Sequence, residues 1–317
     1  MKFEHALVAG GGGFLGANLV KTLLRRGVAV TVFDNWSTGR EVNFSNINDS
    51  RALTVITGDV SEGLPEVDAD IVFNMACPAS PPFYQADPLG TIRTCVMGTL
   101  NVLDWAHKRD VRVVHASTSE VYGDPLQHPQ REDQWGNVNP IGPRACYDEG
   151  KRAAEAALFD HRRIHGTDAR TMRIFNTYGP HMRPDDGRVV SNFIVQALKG
   201  ETITIYGDGK QTRSFCYADD LIAGILALGE SEKQIDRPVN LGNPDEFTIE
   251  ELAHTVTELV GSNAGYTYLD MPVDDPVRRQ PDISLAKELL DWEPVVPLRN
   301  GLKETIAYFK SAIASQT

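Results

Sequence analysis

Short apolar runs alternate with longer stretches of mixed polarity through the first half of the chain. Ala6–Ala9 reads as a short buried strand, and Val28–Phe33, Leu53–Thr57, Ile71–Met75 and Val111–Ala116 as further strands. Phe14–Arg26, Pro88–Lys108 and, further on, Asp148–Gly166 carry apolar residues at helical spacing. Apolar strands alternating with helices predict an α/β protein built on a Rossmann-type, doubly wound parallel sheet covered on both faces. After about residue 175 the pattern changes. Loops rich in Gly, Pro and Asp (Gly179–Gly187, Gly207–Gly209, Asn243–Asp245) separate shorter elements, among them a small helix over Thr248–Val260. The expected division is 1–175 for the sheet domain and 176–317 for a smaller α/β C-terminal lobe closing over the carboxyl edge of the sheet. It is a boundary the chain can cross more than once. The final residues, Ala312–Thr317, are expected to fray.

An open α/β sheet holds its ligands at the carboxyl ends of its strands, and the candidate chemistry of this chain gathers there. Gly10-Gly-Gly-Gly13-Phe-Leu-Gly16 lies directly between the first strand and the first helix. Glycine serves where a turn takes positive φ, where backbone must approach a pyrophosphate and where helix packs on strand. The helix then points its N-terminal amides at the phosphates. The spacing Gly-x-x-Gly-x-x-Gly is one residue longer between its first two glycines than the commonest dinucleotide fingerprint. Asp34, at the end of the second strand, can accept from both ribose hydroxyls and repels a 2′-phosphate, which favours NAD over NADP. Gly58-Asp59-Val60, after the third strand, either holds the adenine edge or simply makes a turn.

Tyr147 and Lys151 stand one helical turn apart on a single face. A phenol with an ordinary pKa of ~10 is a poor base at neutral pH. A neighbouring ammonium favours the phenolate and lowers that value. Such a pair can remove a proton from a sugar or alcohol hydroxyl while a nicotinamide takes the hydride. Ser117-Thr-Ser-Glu-Val-Tyr-Gly123 follows the Val111–Ala116 strand, so its hydroxyls reach the same edge and one of them can bridge substrate and phenol. Glu120, near a sugar ring, can act as a base or steer a second carboxylate by repulsion. The alternative is that these polar residues only satisfy loop backbone.

Composition narrows the partners. A chain of 317 residues with 41% hydrophobic content can bury a large core. A net charge of -12 and a pI near 5.1 argue against nonspecific binding to nucleic acid or to an anionic membrane. An anionic substrate then needs a local arginine cluster working against the global field. Cys77, Cys95, Cys146 and Cys216 form no Cys-x-x-Cys pair and read as reduced, mostly buried thiols of a cytoplasmic protein. No apolar run reaches membrane-spanning length, and Met1-Lys2 leads almost directly into a strand, so no cleaved signal is expected. Glycosylation-like triplets at Asn43 and Asn48 read as coincidence. None of the eight histidines falls in a metal-ligand spacing, so no metal is expected.

Longer matches extend over nearly the whole chain: Ala76–Pro82 (ACPASPP), Ser117–Pro125, Trp135–Lys151 (WGNVNPIGPRACYDEGK), Arg173–Pro180, Asp186–Phe193, Tyr206–Arg213 and Asp274–Asp282. On these the chain resembles the extended short-chain dehydrogenase/reductases that modify nucleotide sugars, and within them the UDP-glucuronate decarboxylase branch, also called UDP-xylose synthases. The resemblance implies an NAD-binding domain, a nucleotide-sugar-binding lobe, and a homodimer in which Pro88–Lys108 and Asp148–Gly166 meet their copies in a four-helix contact. The alternative for those two helices is simple packing on the sheet. It implies Tyr147 as base, Lys151 as its partner and Thr118 as the catalytic hydroxyl. Ser119 and Glu120 stand where a 4,6-dehydratase carries an Asp-Glu pair, and a serine protonates a leaving hydroxyl poorly. The implied cofactor contacts are Gly10, Gly13, Phe14, Leu15, Gly16, Asp34, Asn35, Ser37, Thr38, Asp59 and Val60, with Tyr147 and Lys151. Asn176, Arg188, Arg213 and Arg279 are the implied substrate contacts, arginine suiting the work because its fork pairs with two oxygens at once. Arg188 reads equally well as one half of a surface ion pair.

The reaction so implied is NAD-dependent decarboxylation of UDP-glucuronate through a 4-keto intermediate, giving carbon dioxide and UDP-xylose or the UDP-4-keto-pentose. A 4-epimerase or 4,6-dehydratase acting on another nucleotide sugar is the alternative, and a catalytically silent nucleotide-binding scaffold is the alternative of another class. One departure stands out. Cys95 occupies a place where these proteins usually carry Asn, and a thiol cannot make the amide's hydrogen bonds.

Overall fold

The computed structural model describes residues 3–45, 47, 51–271 and 278–314. Six strands come first: β1 (His5–Ala9), β2 (Ala29–Asp34), β3 (Leu53–Thr57), β4 (Ile71–Asn74), β5 (Arg112–Thr118) and β6 (Ala169–Ile174). The chain then leaves the sheet for the short pieces β7 (Thr177–Tyr178), β8 (Ile203–Tyr206), β9 (Thr212–Ser214) and β10 (Cys216–Tyr217). It returns with β11 (Val239–Leu241) beside β6, and departs again for β12 (Glu246–Thr248) and β13 (Tyr266–Leu269). The resulting sheet has seven parallel strands in the order β11-β6-β5-β4-β1-β2-β3. β1 pairs with β2 on one side and β4 on the other. The strand order therefore reverses beside the glycine loop that follows β1, the place where such sheets open a crevice for a ligand.

The helices are α1 (Phe14–Arg25), α2 (Pro81–Ala86), α3 (Pro88–Arg109), α4 (Ala145–His165), α5 (Val189–Lys199), α6 (Ala218–Glu230), α7 (Ile249–Val260), α8 (Ser284–Leu290) and α9 (Leu298–Ala314). β1 shows why its sequence is apolar throughout. Ala6 and Val8 join a core with Leu19, Leu23, Phe73, Leu221 and Trp292, brought by α1, α6 and the segment after α8. Leu7 and Ala9 point the other way, into a core with Val72, Leu103 and Leu158 under α3 and α4. Alternate residues thus serve opposite faces, and both faces are dry. Leu7, Leu103 and Leu158 are fully buried, and truncating any one to alanine costs about 2–5 kcal/mol.

A separate core of Phe193, Ile203, Leu252, Leu302 and Phe309 holds the smaller lobe, built from α5, α7 and α9 with the β8–β13 pair. α7 begins on a capping box in which the Thr248 hydroxyl and the Glu251 carboxylate satisfy each other's backbone amides. Not all of 176–317 belongs to this lobe, since β11, α6 and α8 pack on the large sheet. β5 runs two residues further than its apolar pattern suggests, so Ser117 and Thr118 are strand residues at its carboxyl end. α9 stays helical to Ala314, past the point where fraying was expected. Residues 315–317, Asn48 and the Asp274–Val277 part of the matching stretch lie outside the described residues. Among the described residues, no helix is long and apolar enough to cross a membrane.

Candidate active site

A cavity of about 600 Å³ opens between the carboxyl edge of the sheet and the small lobe. At one end stands the glycine loop. Gly10 has φ +73°, and a Cβ there would lie 2.6 Å from the Ala76 Cα. A Cβ on Gly16 would lie 2.1 Å from the Gly10 carbonyl oxygen. Neither position admits a side chain, because backbone of Ala76 and of the loop itself packs there, as the tight turn and close helix–strand packing of a dinucleotide fingerprint require. Gly13 caps α1 with no side chain on the first amides of the helix, which leaves them for an anion. Asp34 is buried at the end of β2, where its Oδ2 accepts from the Gly12 amide at 2.8 Å and its Oδ1 from the Trp36 amide at 2.8 Å. Burial raises its carboxyl above the ordinary value, against the opposing pull of those two amides. Each oxygen keeps a lone pair for a ribose hydroxyl, so these residues fit a bound dinucleotide.

Gly10, Gly13, Phe14, Leu15, Gly16, Asp34, Asn35, Ser37, Thr38 and Val60 all line this end of the cavity. Asp59 does not. Its Oδ1 accepts from the Ser61 amide at 2.8 Å and the Ser61 hydroxyl at 2.7 Å, and its Oδ2 accepts from Asn35 Nδ2 at 2.8 Å. It makes a turn and orients Asn35. Asn43 is a residue that the sequence reading left out of the site. It is buried, and its Nδ2 donates to the Gly12 carbonyl at 2.9 Å, so it braces the glycine loop rather than presenting a glycan acceptor.

Tyr147 and Lys151 lie in the first turns of α4, both buried. Lys151 Nζ donates to the Ala116 carbonyl at 2.7 Å, and the Thr118 hydroxyl faces the Tyr147 phenol closely enough to favour its ionised form. A buried network behind them fixes this register. Ser117 Oγ donates to Glu155, and Glu155 accepts from both Nε (3.0 Å) and Nη2 (2.8 Å) of Arg173, which ties β5, α4 and β6 together. The expectation of a depressed phenol is overturned for the protein alone. Burial pushes the Tyr147 phenol well up, Cys77 adds to the rise, and the Thr118 hydroxyl only partly opposes them. Lys151 is turned to a carbonyl rather than to the phenol, which is why burial wins.

Tyr84 is a second residue missed from sequence. It stacks on Tyr147 with ring centroids 5.1 Å apart and planes 4° from parallel. The side chain is 1% exposed, it lines the cavity, and its hydroxyl has no partner among the described residues. That hydroxyl is closed off from solvent at the cavity wall, so a ligand atom meets it only after a small local shift.

The other end of the cavity is strongly cationic. Glu120 Oε2 accepts from Arg144 Nη2 at 2.6 Å and from Arg279 Nη2 at 3.1 Å, while Arg279 Nη1 donates to the Ser119 carbonyl at 2.9 Å. Burial works to raise the Glu120 carboxyl, yet Arg279, Arg144 and then Arg213 outweigh it and hold the group below its usual range. Arg279 is 1% exposed, and its Nε has no partner among the described residues. Next to Tyr147, Asp148 lies 3.9 Å from Arg144 Nε, and its Oδ1 is without a partner among the described residues. Burial, then repulsion from Glu120, raises its carboxyl from 3.8 to about 7. A raised carboxyl means the folded state holds a proton that the unfolded chain has lost, so stability falls as pH rises between the two values. Asp148→Asn is expected to flatten that decline between pH 3.8 and about 7 and to raise Tm above neutral pH. Parallel pH–Tm curves for the two proteins would contradict it.

Thr118, Ser119, Glu120, Tyr147, Lys151, Asn176, Arg188, Arg213 and Arg279 all line the same cavity. Arg188 is engaged by both carboxylate oxygens of Asp186, one at 2.8 Å, and lies over the Phe14 ring at 5.7 Å. It therefore makes an ion pair within the cavity wall, combining the two readings its sequence allowed. Arg144 was inside a matching stretch without an assigned part, and only folding sets it against Glu120.

Comparison with known proteins agrees with this geometry. Residues 6–242 match the NAD dependent epimerase/dehydratase family. UDP-glucuronic acid decarboxylase 1 of Xenopus tropicalis is 50% identical over 313 residues, covering 99% of this chain and 74% of the frog protein. UDP-glucuronic acid decarboxylase 6 of Arabidopsis thaliana is 52% identical over 297 residues, covering 93% of this chain and 86% of the plant protein. Among solved structures, UDP-glucuronic acid 4-epimerase from Bacillus cereus, in complex with UDP-glucuronic acid and NAD, is similar with a TM-score of 0.87 at 27% identity, over 97% of this chain and 99% of that one. The seven-stranded sheet, the glycine cradle and the Tyr147–Lys151 turn thus belong to a member of the NAD dependent epimerase/dehydratase family.

Proposed function

We propose that the protein is a UDP-glucuronate decarboxylase that converts UDP-glucuronate, with NAD retained, to carbon dioxide and UDP-xylose or the UDP-4-keto-pentose. The observation that carries this reading is the juxtaposition of a buried Tyr147–Thr118 pair with a cluster of three arginines around a single Glu120 in one cavity. We assign the cofactor to the 1–175 part of the chain and the sugar nucleotide chiefly to 176–317.

What the cofactor supplies when bound is a reversible hydride acceptor for C4 of the sugar and a positive ring that favours the Tyr147 phenolate. The chain's own residues do the rest. Tyr147 removes the proton from the C4 hydroxyl, with Thr118 holding the same oxygen by a hydrogen bond. A ketone at C4 is β to the C6 carboxylate, and such an acid loses carbon dioxide because the electrons left behind delocalise onto the C4 oxygen. Tyr147 and Thr118 then stabilise that oxygen as preorganised donors. Arg279, fixed by Glu120 and the Ser119 carbonyl, orients the carboxylate; Asn176, Arg188 and Arg213 hold the diphosphate end. Ser119 lacks the acidity to expel water, which disfavours a 4,6-dehydratase.

The test is incubation of purified protein with NAD and each of UDP-glucuronate, UDP-glucose and UDP-galactose. Carbon dioxide is expected from the first alone, and its absence would overturn the proposal. Proton NMR of the product separates UDP-xylose from the keto sugar. Tyr84→Phe is expected to leave Tm unchanged or slightly raised, because the hydroxyl has no partner to lose, and to raise KM about tenfold. An unaltered KM would remove Tyr84 from substrate binding. A homodimer through α3 and α4 fits Leu89, Ile92 and Met97, which are exposed on α3. Light scattering that gives a monomer would exclude it. A reducing, cytoplasmic setting fits four cysteines of which none is in a disulfide.

A further inference from the structure

Cys77 and Cys95 face each other with their sulfurs 3.3 Å apart. Cys77 sits in the loop after β4, lines the cavity and packs against the Tyr84–Tyr147 pair. Cys95 lies one layer deeper on α3, 1% exposed. It touches α4 at Gly150, where a Cβ would come within 3.1 Å of its sulfur. The thiol pair therefore runs from the cavity wall to the turn of α4 that carries Lys151. We propose that Cys77 and Cys95 form a reversible oxidation site, at which a small peroxide entering the cavity converts the two thiols to a disulfide and halts turnover.

The chemistry balances with hydrogen peroxide as the oxidant. The Cys77 thiolate attacks one peroxide oxygen, an S–O bond forms as the O–O bond breaks, and the departing hydroxide takes a proton to become water. The Cys95 thiolate then attacks the Cys77 sulfur. An S–S bond forms, the S–O bond breaks, and the second hydroxide leaves with a proton as water. Two thiols and one peroxide give one disulfide and two waters.

The geometry favours the second step, since sulfurs 3.3 Å apart need little movement to bond, whereas the first step draws on a minor Cys77 thiolate. The hydrogen bond from Cys77 holds the Cys95 thiol below its ordinary value, while burial pushes Cys77 up, so the pair's first lost proton leaves charge on Cys95 and a proton on Cys77. At 3.3 Å that proton can pass between the sulfurs and free the cavity-facing thiolate. The Lys151 ammonium lowers both groups. Closing the pair to a bond of about 2.05 Å draws the loop after β4 toward α3 and disturbs the packing beneath Tyr147 and Lys151. A misplacement of about 1 Å in such a pair costs roughly a hundredfold in rate. Cys216, fully buried in the core beneath α6, has no comparable access.

The experiment exposes the NAD-loaded protein to hydrogen peroxide and reads both turnover and thiol chemistry. An intact mass lighter by two hydrogens, a Cys77–Cys95 cross-linked peptide and a loss of turnover of about a hundredfold are expected, with recovery on adding dithiothreitol. Cys95→Ser, or Cys95→Ala should serine misfold, is expected to stop at a Cys77 sulfenic acid, heavier by one oxygen and without the cross-link, and to lose turnover more slowly than the parent through the same exposure. Saturating UDP-glucuronate is expected to slow the cross-link. The proposal is overturned if the inactivated protein holds no such peptide, if the Cys95 variants lose turnover as fast as the parent, or if a filled cavity gives no protection. The peptide is read without any assay of decarboxylation, so its failure is separable from failure of the proposed reaction.

Discussion

Tyr147→Phe is expected to lower kcat by roughly 10²–10⁴-fold while leaving NAD affinity and Tm nearly unchanged. The substitution removes one oxygen and keeps the ring that stacks on Tyr84. Lys151 remains on the Ala116 carbonyl, which does not depend on the phenol. The buried Ser117–Glu155–Arg173 network that registers β5 against α4 is likewise untouched. In the proposed mechanism, what disappears is the group that takes the C4 proton and later stabilises the C4 oxygen. Because burial lifts the phenol in the free protein, the wild-type rate should climb with pH until the cofactor-bound phenolate is fully formed. The variant should show no such limb. Comparable kcat values for the two proteins would end the case for Tyr147 as the base.

Glu120→Gln is expected to destabilise the fold by about 3–5 kcal/mol at neutral pH, measurable as a lowered urea midpoint at constant m. Glu120 neutralises a site shared by Arg144, Arg279 and Arg213, and the amide would leave three guanidinium groups facing one another with little compensation. Arg279→Met should cost much less, since it removes one charge from an excess and leaves Glu120 with Arg144 at 2.6 Å. Asp148 adds a twist. Once Glu120 no longer repels it, its carboxyl ionises more readily and restores part of the lost balance. The double variant Glu120→Gln with Asp148→Asn should therefore lose more than the sum of the singles, as expected for neighbours in one network. Equal stability of Glu120→Gln and the parent would show that the arginines need no counter-charge in the empty site. Their excess positive charge is also what an incoming carboxylate would meet.

Elements with a strong repeating pattern were legible before folding. β3 (Leu53–Thr57) has the bounds its apolar run predicts, and α7 (Ile249–Val260) lies where a helix over Thr248–Val260 was expected. α2 is not among the helices expected from the sequence, although Pro81 and Pro82 suit its first helical positions. β7, β9 and β10 are two or three residues long, too short to carry any period. In the site, Gly10 to Gly16, Asp34, Tyr147 and Lys151 are local signals, each tied to a strand end or a helix turn. Tyr84, Arg144 and Asn43 are not. Their importance arises from contacts across the fold, with Tyr147, Glu120 and Gly12. Asp59 illustrates the converse, an acidic residue in a suggestive place whose carboxylate is occupied by Ser61 and Asn35. Electrostatics were the least legible part, since the lift on Tyr147 depends on how deeply α4 is covered.

The return of β11 to the edge of the large sheet has a practical corollary. The two halves of the molecule are stitched together by repeated passes of one thread, so neither can be excised as a continuous gene fragment with its core complete. A chimera that swaps the smaller lobe for that of a relative needs several junctions. A single cut near residue 175 would strip an edge strand and α6 from the half that carries the glycine loop.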